Sequence, residues 1–146
     1  MISEEEIPFS TVNSLQPTET TGQGLCVLLA EDDKALRRYL EVVLERSGYA
    51  VESAADGLEA MKLLLSKKID LVITDAVMPN LTGYELCRFI RSTRQLSDLP
   101  IVLLSALDPR NALAETEQAD AFLAKPVSPE NVLQTLARFA EVMSDE

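Results

Sequence analysis

The sequence predicts an α/β domain built around one five-stranded parallel β-sheet. From residue 25 onward, apolar runs of four to six residues alternate with segments in which apolar side chains recur at helical spacing. The runs are apolar at consecutive positions, which is typical of strands covered by helices on both faces of a parallel sheet. Short connections between successive elements then imply right-handed crossovers within that single sheet.

Five predicted strands alternate with five predicted helices along the chain. The strands are placed at residues 25–30, 49–54, 70–74, 100–105 and 121–124. Asp33 is predicted to cap the first helix, which closes near Gly48. The second helix starts at the signal formed by Asp56 and Glu59. The apolar residues that follow this signal are Leu58, Met61, Leu64 and Leu65.

The remaining helices are predicted mainly from their start signals. Thr82 and Glu85, at capping-box spacing, open the third helix, which extends to about Arg94. A short fourth helix is predicted at about residues 110–118. Ser128 as N-cap, with a proline at the first helical position, starts the fifth helix.

A flavodoxin-like, doubly wound sheet with strand order 2-1-3-4-5 is the most economical arrangement of these elements. In such sheets ligands bind outside the carboxyl ends of the strands, at the switch point between strands one and three. Both of these strands end at carboxylates: Glu31 and Asp32 follow the first, and Asp75 follows the third.

The chain divides into a polar leading segment and one domain. Residues 1–24 are rich in Ser, Thr, Glu, Gln and Pro and show neither helical nor strand periodicity, so we predict a disordered acidic and polar tail or linker. Residues 25–146 form the predicted domain, which is large enough for a single core.

Composition excludes several classes of function. A net charge of −11, from 24 acids and 13 bases, argues against direct nucleic-acid binding. No apolar run approaches the roughly 20 residues of a membrane span, and the acidic N-terminus does not resemble a secretory signal, so a cytoplasmic location is predicted. Cys26 and Cys87 are expected to be reduced packing residues, since the chain lacks histidine and CxxC spacing.

The predicted strand ends bring complementary groups to one rim of the sheet. Ser105 closes the fourth strand and Lys125 follows the fifth, so a hydroxyl and an amine join the carboxylates of Glu31, Asp32 and Asp75. An acid at one strand end usually caps a helix or faces water, as expected for Asp33. Three carboxylates in one crevice repel each other and are suited to Mg²⁺, which prefers oxygen ligands.

Four motifs carry a resemblance to a known family. "VLLAEDD", "ITDAVMPNLTGYEL", "IVLLSA" and "FLAKP", in this order, resemble the receiver domain of two-component response regulators, including chemotaxis regulators, over about residues 25–143. The resemblance implies that Asp75 is the phosphoacceptor, phosphorylated from a phosphohistidine. It also implies that Mg²⁺, or Mn²⁺ as a substitute, is held by Glu31, Asp32, Asp75 and the backbone carbonyl of Val77.

The resemblance also implies roles for the last two strands. Ser105 would hydrogen-bond the phosphoryl oxygens, and Lys125 would pair with them from a cis peptide bond to Pro126. Phe122 occupies the position of the family's aromatic switch, which is often Tyr, and Ser105 would switch with it. Glu31 replaces a commoner Asp, and its extra methylene favours a water-mediated metal contact.

Two apolar residues are expected to flank the phosphoryl group. Val77 lies two residues after Asp75, and Leu107 lies two residues after Ser105. Neither side chain can orient a hydrolytic water, so we predict a long-lived acyl phosphate.

The implied partners are a sensor histidine kinase or a histidine phosphotransfer protein, and a downstream protein target or output domain. The chain has no histidine, so the phosphoryl group must arrive from another molecule. The domain would catalyse only its own phosphorylation and dephosphorylation, and phosphorylation-dependent homodimerisation through the last helix and fifth strand is the family's usual response. Whether the domain stands alone or is part of a larger regulator or hybrid histidine kinase stays open.

Three other hypotheses are alternatives to a phosphoacceptor function. A receiver-like docking or dimerisation module would keep the fold without phosphorylation. A haloacid-dehalogenase-type phosphatase would carry its aspartyl nucleophile in a D-x-D after strand one, where this chain has Glu31 and Asp32. A flavin protein would need a phosphate-cradling loop there, and the acidic sequence would repel phosphate.

Overall fold

The computed structural model describes residues 24–106 and 118–144. The strands are β1 (Cys26–Ala30), β2 (Ala50–Ala54), β3 (Leu71–Asp75), β4 (Ile101–Ser105) and β5 (Ala121–Ala124). The helices are α1 (Lys34–Arg46), α2 (Gly57–Ser66), α3 (Gly83–Ser92) and α4 (Pro129–Ser144), with a 3-10 helix at Arg94–Leu96. The predicted helix at about residues 110–118 lies outside the described residues except for its last position.

The strands form one parallel sheet in the order β2-β1-β3-β4-β5, which confirms the predicted topology. Side chains that alternate along β1 divide between two apolar clusters. Leu28 and Ala30 pack on the side of α2 and α3, whereas Val27 and Leu29 pack on the side of α1 and α4. Because both faces of the sheet are covered, the central strands are apolar at consecutive positions.

Side-chain caps start the described helices as predicted. They are Asp33 for α1, Asp56 for α2, the reciprocal capping box of Thr82 and Glu85 for α3, and Ser128, whose hydroxyl accepts from the Asn131 N–H, for α4. The closure of α1 differs slightly from the expectation, since Ser47 is its C-cap and Gly48 follows with a φ of 96°. A positive φ just past a helix end is the conformation that glycine adopts without a steric penalty.

Two of the leucines of α2 are exposed to solvent. Leu58 and Leu65 are 43% and 65% exposed, whereas Leu64 and the small Ala60 are buried. The helix approaches its neighbours through small residues: a Cβ on Gly57 would lie 2.0 Å from the carbonyl oxygen of Leu81. Gly57, Ala60 and Leu64 are the buried residues of the helix, so the two leucines lie on a different side of it.

Both cysteines are free, as expected, with Cys87 buried and Cys26 partly buried. Burial is the main cause that raises the pKa of the Cys87 thiol, to about 11. Among the described helices, none combines the length and apolar character needed to cross a lipid bilayer.

Candidate functional site

The carboxyl ends of the strands form the rim that the sequence predicts. Glu31 follows β1, and Asp75 is the last residue of β3. The parallel register aligns Asp75 with Leu104 in β4 and Ser105 with Ala124 in β5, so the next residue, Lys125, emerges at the same edge. The sheet therefore brings together side chains that are far apart in sequence.

Glu31 is the most deeply buried of the acidic side chains at this rim, with no exposed surface. Its Oε2 accepts a hydrogen bond of 3.0 Å from the Asp33 N–H, and its backbone N–H donates to the Ala54 carbonyl at 3.0 Å. Its Oε1 lies 3.1 Å from Lys125 Nζ but accepts no well-aligned hydrogen bond from any described residue. Burial raises the pKa of this carboxyl, and the neighbouring Asp75 charge adds to the rise.

Lys125 bridges the two buried acids. Its Nζ donates to Asp75 Oδ2 at 2.9 Å and lies 3.1 Å from Glu31 Oε1. Burial alone would lower the pKa of Lys125, but the hydrogen bond to Asp75 and the charges of both carboxylates outweigh it, so the pKa is raised. Lys125 is thus held as a cation, and its peptide bond to Pro126 is cis, as the resemblance implies.

Asp75 lies at the centre of the sheet's edge and is 7% exposed. The Thr74 hydroxyl donates to its backbone carbonyl at 3.0 Å, and the next residue, Ala76, donates from its N–H to the Leu104 carbonyl at 2.8 Å. Helix α3 begins directly against this strand end. The approach is so close that a Cβ on Gly83 would lie only 2.1 Å from the Asp75 carbonyl oxygen. The backbone that carries the Asp75 carboxylate is therefore held from two sides.

Glu31, Asp32 and Asp75 form a cluster of possible metal ligands. One oxygen from each carboxylate can be chosen so that all three lie within 4.8 Å of one another. Asp32 is exposed, so a cation can reach the cluster from solvent. Three carboxylates with one open side match the oxygen-rich, partly hydrated coordination that Mg²⁺ prefers, and the residues present fit this ion.

The structure describes three of the other predicted site residues, Val77, Ser105 and Phe122. Val77 follows β3 with its side chain 63% exposed, and Ser105 is 2% exposed at the end of β4. Phe122 is partly buried and packs against the cluster of apolar side chains under α2 and α3. Leu107 lies outside the described residues.

Sequence reasoning missed two contacts that support the site. Arg37 donates from Nη1 to the Glu31 carbonyl at 2.8 Å, a contact for which the sequence carries no local signal. Asn80, with a φ of 72°, donates from its side-chain amide to Asp56 Oδ2 at 2.7 Å and fastens the loop after β3 to the start of α2. The Pro79-Asn80 pair is a recognisable turn signal, because asparagine is enriched at positive φ.

Residues 27–137 match the family described as the response regulator receiver domain. The chain belongs to this family. Receiver domains act in phosphorylation-based signalling, so the match favours this class over the phosphatase and flavin alternatives.

Relatives of this receiver domain include full-length regulators. The response regulator MprA of Mycobacterium sp. (strain KMS) is 40% identical over 109 residues, which cover 73% of this chain and 46% of the relative. The transcriptional regulatory protein AfsQ1 of Streptomyces coelicolor is 43% identical over 103 residues, covering 69% of this chain and 44% of the relative. The receiver domain thus spans less than half the length of these relatives.

Solved structures of receivers share the fold. The chemotaxis response regulator CheY4 of Vibrio cholerae superposes with a TM-score of 0.75 at 34% identity, covering 79% of this chain and 98% of the other. The response regulator TrrA of Thermotoga maritima, described in complex with Mg²⁺ and BeF, gives a TM-score of 0.72 at 28% identity, covering 79% and 98%.

Proposed function

We propose that Asp75 accepts a phosphoryl group and that the domain then alters its binding to a partner. The observation that carries this proposal is the position of the Asp75 carboxylate between a lysine ammonium 2.9 Å away and the acidic cluster with Glu31 and Asp32. A carboxylate nucleophile needs cationic groups that stabilise the incoming phosphoryl oxygens. Lys125 supplies one such group, and the acidic cluster can recruit the other.

The transfer is an in-line displacement at phosphorus. A carboxylate oxygen of Asp75 forms the new bond to phosphorus, while the bond to the donor breaks and its electron pair stays with the donor. Lys125 Nζ moves from Asp75 Oδ2 to the phosphoryl oxygens, and the Ser105 hydroxyl donates a hydrogen bond to one of them. Because this reaction needs positioning and charge stabilisation more than covalent help, these few side chains suffice.

Glu31, Asp32, Asp75 and the backbone carbonyl of Val77 would hold the metal ion. Bound there, Mg²⁺, or Mn²⁺ in its place, would neutralise charge on the transferring phosphoryl group. Glu31 is already engaged by Lys125 and by the Asp33 N–H, which supports a contact through water for this residue. The TrrA receiver described with Mg²⁺ and BeF supports the same assignment for this chain.

The proposed partners follow from the chemistry of the site. The family match supports a histidine kinase or a histidine phosphotransfer protein as the phosphoryl donor, and this chain has no histidine of its own to serve as donor. A protein target or output domain reads the phosphorylated state, and Ser105 and Phe122 couple the site to that surface. We further propose a cytoplasmic location, no direct nucleic-acid or membrane contact, and no turnover of other substrates.

Intact-mass measurement tests the proposal. Wild type incubated with Mg²⁺ and acetyl phosphate should gain one phosphoryl adduct, and Asp75→Ala should gain none. Asp98→Ala removes an exposed acid elsewhere and serves as the matched control, which should react like wild type. Omission of Mg²⁺ should abolish the adduct.

A phosphorylation-independent docking module is the remaining alternative. It predicts no adduct and no Mg²⁺ affinity in wild type, with partner binding unchanged in Asp75→Ala. An adduct that forms equally in Asp75→Ala would contradict the assignment of the acceptor.

A further inference from the structure

Arg91 lies in the last turn of α3, far from the acidic cluster. Among the described residues, its side chain makes the most extensive set of hydrogen bonds. Its guanidinium donates to three backbone carbonyls: Nε to Gln118 at 3.0 Å, and Nη1 to Ser97 and Leu99 at 2.9 and 2.7 Å. Nη2 pairs with Asp120 Oδ2 at 2.7 Å. The planar guanidinium thus joins the end of α3 to the segments that precede β4 and β5.

The segment joined in this way leads into the least protected strand of the sheet. β5 has four residues, none of them fully buried, and it pairs with β4 alone at the edge of the sheet. A short edge strand with one partner has few interactions of its own to define its position. The contacts at its two ends therefore determine much of its position in the sheet.

Asp120 provides the contact at the beginning of β5. Its N–H donates to the Ile101 carbonyl at 2.8 Å, and its Oδ2 accepts from the Ile101 N–H at 2.8 Å. The same Oδ2 accepts from Arg91, which holds the carboxylate in place for Ile101. These bonds define the register in which Ala121 faces Val102.

Lys125 lies at the other end of the same strand. Its N–H donates to the Ser105 carbonyl at 2.8 Å, and its ammonium reaches Asp75 and Glu31. Lys125 lies five positions after Asp120, about 16 Å of extended chain at roughly 3.3 Å per residue. Because β5 is a regular strand with a nearly constant rise per residue, a change of register at its start changes the position of its end as well.

We infer that Arg91 is a positioning residue for phosphoryl transfer: by holding Asp120 and the Gln118 carbonyl, it sets the register of β5 on β4 and so places Lys125 beside Asp75. The link to phosphoryl transfer rests on the proposed function. The effect on strand register does not, and it can be measured without any phosphodonor.

Amide hydrogen exchange tests the structural step. In Arg91→Gln, the amides of Asp120 and Lys125 should exchange about tenfold or more faster, because loss of a charge-assisted hydrogen bond leaves Asp120 less well held. Amides of β1 and β3 should exchange as in wild type. Arg88→Gln changes an exposed arginine on the same helix and is the matched control. Equal acceleration across all strands would show general destabilisation and would overturn the inference.

Phosphoryl uptake and Mg²⁺ affinity together test the functional step. Arg91→Gln should lower the maximal rate of uptake from saturating acetyl phosphate by about tenfold, as expected when one stabilising cation is misplaced. Its Mg²⁺ affinity, measured by calorimetry, should not weaken, because moving an ammonium away from three carboxylates does not disfavour a second cation. A merely structural defect would weaken both. An unchanged rate, or a parallel loss of Mg²⁺ affinity, would overturn the inference.

Two further variants keep the test decisive. Asp120→Asn retains an acceptor for Ile101 and loses only the charge pair. It should change amide exchange and uptake rate in the same direction as Arg91→Gln, but by less, and it replaces Arg91→Gln in the test if that variant does not fold. In a Lys125→Ala background, Arg91→Gln should cause no additional loss of rate, since the two act through one group. If wild type takes up no phosphoryl group, the proposed function fails, while amide exchange still decides whether Arg91 sets the register of β5.

Discussion

Gly83 shows how one residue without a side chain helps to place the acceptor. A methyl group at this position would lie 2.1 Å from the Asp75 carbonyl oxygen and 2.9 Å from Ala76 Cα, both of them backbone atoms. We expect Gly83→Ala to lose about 1–3 kcal/mol of unfolding free energy through overpacking. Because the displaced atoms belong to Asp75 and the residue that follows it, Mg²⁺ affinity and phosphoryl uptake should fall as well.

Gly48→Ala is the control for the Gly83 prediction. Gly48 has a φ of 96° and precedes β2, at the end of the sheet opposite the acidic cluster. Its replacement should lower the melting temperature through backbone strain but leave Mg²⁺ affinity unchanged. Equal Mg²⁺ affinities in the two variants would refute the role assigned to Gly83.

Val77 bears on the lifetime of the proposed acyl phosphate. Its exposed side chain has no group that can orient a water molecule, and Leu107 offers none either. Val77→Asn combined with Leu107→Glu should therefore accelerate phosphate loss, about tenfold or more if the new groups act in general acid–base fashion. The measurement is the decay of the phosphoryl adduct by intact mass after removal of the donor. An unchanged rate of phosphate loss in the double variant would contradict the prediction of a long-lived acyl phosphate.

The residues of the rim could be predicted because each lies at a strand end. To predict that Glu31, Asp75 and Lys125 lie together, it was enough to know the positions of the strands and the rule that parallel strands end at one edge. Arg91 could not be predicted, since its four partners lie 6 to 29 residues away and depend on how α3 packs. Long side chains reach distant backbone, and sequence spacing does not encode that reach.

At the scale of elements, caps were predictable and helix faces were less so. Thr82 and Glu85 form the expected capping box because its interactions are local. The buried side of α2 consists instead of Gly57, Ala60 and Leu64, and Leu58 and Leu65 are exposed. Packing between elements therefore determined what periodicity alone left ambiguous.

The pair of Glu41 and Ser53 joins α1 to β2 and makes the domain's stability depend on pH. Ser53 Oγ donates to Glu41 Oε2 at 2.5 Å, and this bond, with a further contribution from Arg38, lowers the pKa of Glu41 below its ordinary value of 4.5. A lowered folded-state pKa contributes stability above the ordinary value, and the contribution is lost as pH falls through the folded-state pKa.

We expect Ser53→Ala to cost about 1 kcal/mol of unfolding free energy at neutral pH. The difference from wild type should shrink below pH 4.5, as Glu41 becomes protonated in both proteins. Urea unfolding over a series of pH values measures this. Ser92→Ala, which removes a hydroxyl that donates only to backbone carbonyls, should show a difference that does not vary with pH. A constant difference for Ser53→Ala would contradict the assigned cause.

At the scale of the whole molecule, negative charge is in excess, and three of the acids meet where the strands end. The chain carries a net charge of −11, and Glu31, Asp32 and Asp75 crowd together with Lys125 as the cation between the two buried acids. A divalent cation that binds the folded cluster and not the unfolded chain must stabilise the fold by mass action. Mg²⁺ at about 100 times its dissociation constant should add about 2.7 kcal/mol, and a chelator should remove the gain.

Thermal unfolding with and without Mg²⁺ distinguishes this site from general screening of the negative surface. Asp32→Asn keeps the shape of the exposed ligand and removes its charge, so its gain from Mg²⁺ should fall well below that of wild type. Asp98→Asn removes one charge outside the cluster and should retain the full gain. NaCl at equal ionic strength should change the melting temperature of all three proteins by the same amount, because screening acts on all surface charges alike. If Asp32→Asn and Asp98→Asn gained equally, the stabilisation would come from the overall charge, and the cluster would not be a specific site for Mg²⁺.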